Sequence, residues 1–183
     1  MSPLEVIDKY YADNDNLRRL LLVHSWQVAT RALLCAARHP QLDIDRRLVL
    51  SGALLHDIGI FETDAPSIYC YGKEPYLMHG FVGARLLRQI GLESEARICE
   101  RHTGAGLSEE TVRKAGLDVP AKNYLPETIE EKLICYADKF YSKSRPAVSL
   151  SVQQVYEGLL RFGTDGANRF MEWHRMFALQ IQL

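Results

Sequence analysis

The stretch Leu54-Leu55-His56-Asp57-Ile58-Gly59 constrains this fold more than any other part of the chain. An apolar segment runs directly into an adjacent histidine and aspartate and then meets a glycine. Buried imidazole and carboxylate groups are unfavourable unless something pairs with them. A divalent metal ion is the simplest shared partner, because neutral imidazole and carboxylate both ligate first-row transition metals. Any fold that buries this pair must bring further ligands to it from elsewhere. Gly59 is expected to adopt the left-handed conformation that commonly ends a helix.

The rest of the chain reads as helices that supply such ligands. Ser2, Pro3 and Glu5 have the order of an N-cap, a first-turn proline and a capping-box partner, opening a short helix to about Ala12. A second helix, about Leu17 to Arg38, carries the inward stripe Leu17, Leu21, His24, Val28 and Cys35. Asp43 or Asp45 caps the next helix, which leads through Leu48, Leu50 and Ala53 into the opening stretch. Residues 60–74, with Pro66 and Gly72, read as a loop forming one wall of a pocket. Pro75 opens a helix to about Ile90 whose stripe is His79, Val82, Gly83, Leu86 and Ile90. A helix from about Glu93 to Thr103 sets Ile98 and Cys99 one turn before His102, and a short one covers 108–115. Pro126 starts a helix ended by Arg145-Pro146, with Asp138 beside the apolar face of Ile134, Ala137, Phe140 and Tyr141. Two helices joined around Phe162 to Gly166 complete the chain. No strand alternation of useful length is present, so the expected class is an all-α bundle.

Composition narrows the partners. Net charge is −1 and the pI is about 6.6, without a dense basic stripe, so nucleic-acid binding is not expected. Met1 to Glu5 lacks a signal-peptide pattern, and no apolar run approaches the roughly 18 residues of a membrane span. Cys35, Cys70, Cys99 and Cys135 are scattered, as expected for reduced thiols in a cytoplasmic protein without a membrane partner. The oligomeric state is open.

Six polar residues intrude on these apolar faces: His24, His56, Asp57, His79, His102 and Asp138. Four of the six histidines are in this set; His39 and His174 read as surface or helix-end residues. A single core histidine is usually satisfied by a hydrogen bond. Six such groups would each need a separate solution, whereas one metal cluster satisfies all of them. Six ligands exceed the four of a structural zinc site. They suit two divalent ions with one carboxylate bridging. The absence of cysteine donors and the excess of imidazole favour iron or manganese, with zinc, cobalt or nickel possible.

The order His24, His56-Asp57, Asp138 resembles the H…HD…D signature of the HD-domain superfamily of metal-dependent phosphohydrolases. His56-Asp57-Ile58-Gly59 matches its HDIG variant letter for letter. His79 and His102 look like the added ligands of the bimetallic branch, which includes diadenosine-tetraphosphate hydrolases and cyclic-dinucleotide phosphodiesterases. Arg101 to Gly106, Leu125 to Lys132 and Tyr136-Ala137-Asp138 are similar to a group of small HDIG proteins. The resemblance runs roughly from Leu17 to Lys143.

The chain reads as a single HD-type domain over 1–183, with a core of about 17–145 and a C-terminal helical pair over 147–183 that contributes nothing to the resemblance. The resemblance places one metal on His24, His56, Asp57 and Asp138. Asp57 bridges to a second metal held also by His79 and His102. A hydroxide between the ions would attack a small phosphate ester or anhydride, with a nucleotide as the expected substrate. Lys139, Lys143, Arg145 and Lys73 are the candidate cations for substrate phosphate. Many HD proteins carry a phosphate-contacting lysine shortly after the HD pair; here Ile60, Phe61 and Glu62 stand there. A di-iron oxygenase of the same fold would use the same ligands, and a metal-retaining sensor module is a third reading.

Overall fold

Capping chemistry starts most of the helices in the computed structural model, which describes residues 1–178. The end of the 147–183 pair, residues 179–183, lies outside the described residues. α1 (Pro3–Tyr11) begins at Ser2, whose hydroxyl and backbone N–H share the expected capping box with Glu5. α2 (Asp15–Arg38) begins at Asn14, whose side chain accepts from the Leu17 N–H at 3.0 Å. α3 (Arg46–Leu55) is capped by Asp45, which accepts from the N–H groups of Arg47 and Leu48. Asp43 instead takes a left-handed turn with φ 47°.

The segment after α3 is more ordered than a plain loop. It holds 3-10 turns at Ile60–Glu62 and Pro66–Ile68, with β1 (Asp64–Ala65) and β2 (Cys70–Tyr71) pairing antiparallel between Asp64 and Tyr71 and between Ala65 and Cys70. Alternation over two residues is too short to register as a strand in the sequence. The helix expected from Pro75 is split: a 3-10 turn, Tyr76–Met78, precedes α4 (His79–Gln89). α5 (Glu93–Arg101) and α6 (Glu109–Lys114) follow.

α7 (Ile129–Asp138) is much shorter than expected at both ends. Thr128 caps it, with Glu131 completing a capping box, so Pro126 stays outside. The chain leaves the helix after Asp138 because a returning segment satisfies its backbone: Leu150 N–H donates to Phe140 C=O at 2.8 Å. That early stop frees residues 139–150 to turn across the end of the helix.

α8 (Val152–Leu160) and α9 (Thr164–Phe177) agree with the expected pair. They extend the larger core rather than the polar cluster: Phe170, Trp173 and Phe177 join Val28, Ala32, Ile134 and Phe140. His174 lies there too, its Nδ1 2.9 Å from Tyr136 Oη, and His39 ends α2. A second core contains Ile7, Leu17, Leu21, Leu55, Ile58, Leu87 and Cys99. His24 sits on α2 between Leu21 of this core and Val28 of the other, so the polar cluster lies at their seam.

α2 is long and apolar enough on average to cross a membrane, with a mean hydropathy of 1.3 over its best window, although it holds no uninterrupted apolar run of that length. Its inward stripe packs in both cores as expected, Leu17 and Leu21 in one and Val28 and Cys35 in the other. All four cysteines are free and buried.

A partly buried ionic network joins α5 to α7. Glu131 accepts from Arg97 Nε at 2.9 Å and from the backbone N–H groups of Glu127 and Thr128 at 2.6 and 3.2 Å. Arg101, just before His102, donates to Leu125 C=O at 2.6 Å and pairs with Glu127 at 2.9 Å. Glu131→Ala removes half of the capping box, leaving Thr128 in place, and takes the acceptor from Arg97 and two part-buried backbone N–H groups. It should cost about 2–4 kcal/mol. Thermal unfolding followed by circular dichroism should show Tm falling by roughly 5–12 °C. An unchanged Tm would show that this carboxylate does not hold α7 in place.

Candidate metal centre

Three of the four histidines are positioned by one local device. His56 and His102 cap the C-terminal ends of α3 and α5, and His79 follows a 3-10 turn. Carbonyls at helix ends lack intrahelical partners. Each ring folds back so that Nδ1 meets the carbonyl three residues earlier: Ala53 at 2.7 Å, Tyr76 at 2.6 Å and Cys99 at 2.7 Å. A carbonyl only accepts, so Nδ1 carries the proton and Nε2 turns its lone pair inward. His24, in mid-helix, also points Nε2 into the cluster, and its Nδ1 has no hydrogen-bond partner among the described residues.

The Nε2 atoms converge on Asp57. Its Oδ2 lies 3.2 Å from His24 Nε2 and 3.1 Å from His56 Nε2. Its Oδ1 lies 3.4 Å from both His79 Nε2 and His102 Nε2. Asp138 Oδ1 completes the first group at 2.9 Å from His24 and 3.5 Å from His56. All six residues are buried, and Asp57 and His56 are wholly so, at 0% exposure.

These donors fit metal ions. Ligands about 2.1 Å from one ion stand about 3.0–3.4 Å from each other, which is the spacing found within each group. Both Asp57 oxygens lie near nitrogen atoms, yet neither accepts a well-directed hydrogen bond among the described residues. A buried carboxylate that lacks well-directed hydrogen bonds is the partner a cation requires, and the Lys143 ammonium already approaches one of its oxygens. His24, His56, Asp57 and Asp138 form one group able to hold an ion; Asp57, His79 and His102 form the other.

Charge in the cluster follows from burial and proximity. Burial and the neighbouring His102 ring hold His79 neutral, its pKa lowered to about 3. His102 is lowered too, chiefly by burial. Burial opposes charge on His56, but Asp57 and Asp138 outweigh it and raise its pKa to about 9. A metal ion bound there takes the place of that proton. Burial alone would raise Asp57, but Lys143 and His56 bring it well below the usual carboxylate range.

The proposed substrate cations separate into two kinds. Lys143 Nζ is 2.6 Å from Asp57 Oδ2. Lys139 Nζ is 2.7 Å from Asp138 Oδ2 and donates to His102 C=O at 3.0 Å. Both line an open pocket of about 430 Å³ with Tyr76, Ser142, Ser144 and Asp138. Ala65, Ser67 and Ile68 form its other wall, so the segment after the HD pair does flank a pocket. Arg145 and Lys73 are exposed and do not line it. A larger cleft, about 510 Å³, lies between α8 and α9 and holds none of the six cluster residues.

Tyr76 was not anticipated. It supplies the carbonyl for His79, and its ring stacks on the His79 imidazole with centroids 4.8 Å apart. Its position three residues before a cluster histidine, like Ala53 and Cys99, is the signal for the carbonyl contact.

This helical fold, with a buried histidine–aspartate cluster at its seam, places the chain in a defined class. Residues 21–142 match the HD domain family model, and the chain belongs to that family. It is 38% identical over 155 residues to tRNA (cytidine(56)-2'-O)-methyltransferase of Picrophilus torridus, covering 84% of this chain and 39% of that protein. It is 32% identical over 180 residues to the Thermoplasma volcanium protein of the same name, covering 97% and 46%. This chain therefore spans less than half the length of either. An uncharacterised Methanocaldococcus jannaschii protein is 42% identical over 107 residues, covering 58% of this chain and 56% of that one. Among solved structures, the HD domain of the L. monocytogenes phosphodiesterase PgpH has the same fold, with a TM-score of 0.55 and 21% identity over 97% of this chain and 90% of that one. Its complex with cyclic-di-AMP gives 0.54 and 18%, over 98% of this chain and all of that one.

Proposed function

We propose that this chain is a metal-dependent phosphohydrolase acting on a small phosphate ester or anhydride, with a nucleotide as substrate. One observation carries the reading: the two oxygens of Asp57 face two separate groups of imidazole donors, the arrangement a bridging carboxylate needs between two ions. Two divalent ions, iron or manganese by the nature of the donors, would activate water near neutral pH and offset phosphoryl charge. The chain's own residues supply the rest. Asp57 sets the spacing of the two groups. Lys139 neutralises the outer oxygen of Asp138 and keeps its inner oxygen directed at the cluster. Lys143 lines the adjoining pocket, within reach of a phosphate bound there. Arg145 and Lys73, at the surface, are left for the distal parts of a larger ligand.

The pocket volume lies within the 300–1,000 Å³ range of small-molecule sites, which suits a mononucleotide unit. The cyclic-di-AMP complex of the structural relative agrees with a nucleotide. The methyl transfer named for two relatives belongs to proteins more than twice this chain's length. A buried cluster of histidine and aspartate is suited to activating water rather than to moving a methyl group.

Phosphate release from a nucleotide panel, with Mn²⁺ or Fe²⁺ added, tests the reading. Turnover is expected to proceed equally with and without dioxygen. Strict dependence on dioxygen would move the assignment to a di-iron oxygenase, and no turnover under any condition would leave a metal-binding module. We place the chain in the cytoplasm, in keeping with its four free thiols.

A further inference from the structure

Asp57 and Asp138 use their oxygens differently. Asp138 divides its carboxylate: Oδ1 faces His24 and His56, and Oδ2 holds Lys139 at 2.7 Å. Asp57 has no oxygen to spare. Oδ1 faces His79 and His102, and Oδ2 faces His24, His56 and the Lys143 ammonium together. A metal ion in the first group and Lys143 therefore address the same oxygen.

Their attachments differ as well. Lys139 is fixed by a second contact, the His102 carbonyl at 3.0 Å, and sits directly after α7. Lys143 lies in the connecting segment beyond α7, outside any helix, although its side chain is as buried as that of Lys139, each 13% exposed. It lines the pocket together with Tyr76, Ser142 and Ser144, with Nζ 5.9 Å from the Tyr76 ring centre. Its ammonium can therefore leave Asp57 without moving a helix, and the space it would enter is the pocket.

We infer that Lys143 and metal compete for Asp57, so that metal binding drives the Lys143 ammonium into the pocket, where it binds a phosphate oxygen of the substrate. Like charges close together in a low-dielectric site repel strongly, so the two cations do not share the Oδ2 atom. For the displaced ammonium a phosphate oxygen is a stronger partner than the neutral hydroxyls that line the pocket, because charge-assisted hydrogen bonds exceed neutral ones. The anion site thus assembles only after the metals are in place. This deepens the phosphohydrolase reading and rests on it for the identity of the anion.

The test is a pair of binding measurements that need no turnover. Calorimetric titration with Mn²⁺ alone should show Lys143→Met binding metal several-fold more tightly than the parent chain. Orthophosphate binding to the Mn²⁺-loaded variant should be about tenfold weaker or more, the loss of one charge-assisted hydrogen bond. A lysine with a merely structural role would move both affinities the same way. Metal affinity that is unchanged or weakened in the variant, or unchanged phosphate affinity, overturns the inference.

The parent chain gives a second test that does not depend on the variant folding. Acylation of Lys143, read by peptide mass spectrometry, should rise several-fold on adding Mn²⁺ and fall again on adding orthophosphate. Labelling indifferent to Mn²⁺ overturns the exchange. Opposite shifts in a protein that releases phosphate from no nucleotide would support the exchange and sink only the hydrolase reading.

Discussion

Asp57→Ala is expected to strip the protein of both metal ions together and reduce phosphate release to background. Among the described residues, Asp57 alone belongs to both donor groups. Without it, the His79–His102 pair keeps two imidazoles and no carboxylate. The other group loses the oxygen that stands 3.1–3.2 Å from His56 and His24. The countercharge for Lys143 disappears at the same time. His79→Ala or His102→Ala cuts into one group only and should release mainly one ion. Elemental analysis of desalted protein, expected to find about two ions per parent chain, reads these losses directly. Circular dichroism confirms that each variant is folded. An Asp57→Ala protein that keeps a full complement of metal, or turns over at the parent rate, would falsify the bridging role.

Gly59→Ala is expected to be among the most destabilising single-atom additions in the chain. A Cβ at this position would fall 2.2 Å from the His79 carbonyl oxygen and 2.4 Å from the Gly83 nitrogen. Both are backbone atoms of α4, so no side chain can swing aside. Either α4 moves, carrying His79 away from Asp57, or the turn after His56-Asp57 deforms. Overpacking against fixed atoms typically costs 1–3 kcal/mol and more in severe cases; about 3–5 kcal/mol is expected here, a fall in Tm of roughly 8–15 °C or more. Folded Gly59→Ala protein should also hold less metal, because His79 is displaced. Gly91→Ala provides the contrast. Gly91 has φ 78° but nothing within 4 Å of an added Cβ, so its cost is that of the left-handed backbone, about 1–2 kcal/mol. Equal melting temperatures for the two variants would refute the close-approach account.

Much of the histidine–aspartate cluster was legible because its signals are local. Leu17, Leu21, His24 and Val28 recur at helical spacing, so His24 faces inward wherever α2 packs. The same holds for Ile134 and Asp138 on α7. His56-Asp57 and His102 stand at the ends of apolar stretches, and the chain turns where those stretches finish. The boundaries were less legible. α7 was read from Pro126 to about residue 144, yet it spans Ile129–Asp138. Its apolar pattern continues through Phe140 and Tyr141, but the partners of those backbone groups come from a returning segment distant in sequence. β1 and β2 were too short to carry a pattern.

Gly59 marks the division between the two sources of information. The sequence alone determined that a histidine and an aspartate enter the core at the end of an apolar helix and that a glycine follows. It suggested a left-handed turn, but Gly59 has φ −89°, a value open to any residue. Glycine is required there because the backbone of α4 passes too close for a Cβ. The division of the Asp57 oxygens between two groups and the approach of Lys143 are of the same kind. Periodicity and caps act within a turn or two of the chain, so the order of residues determines them. The distance between segments far apart in sequence is set by how whole helices pack, and only the tertiary structure decides it.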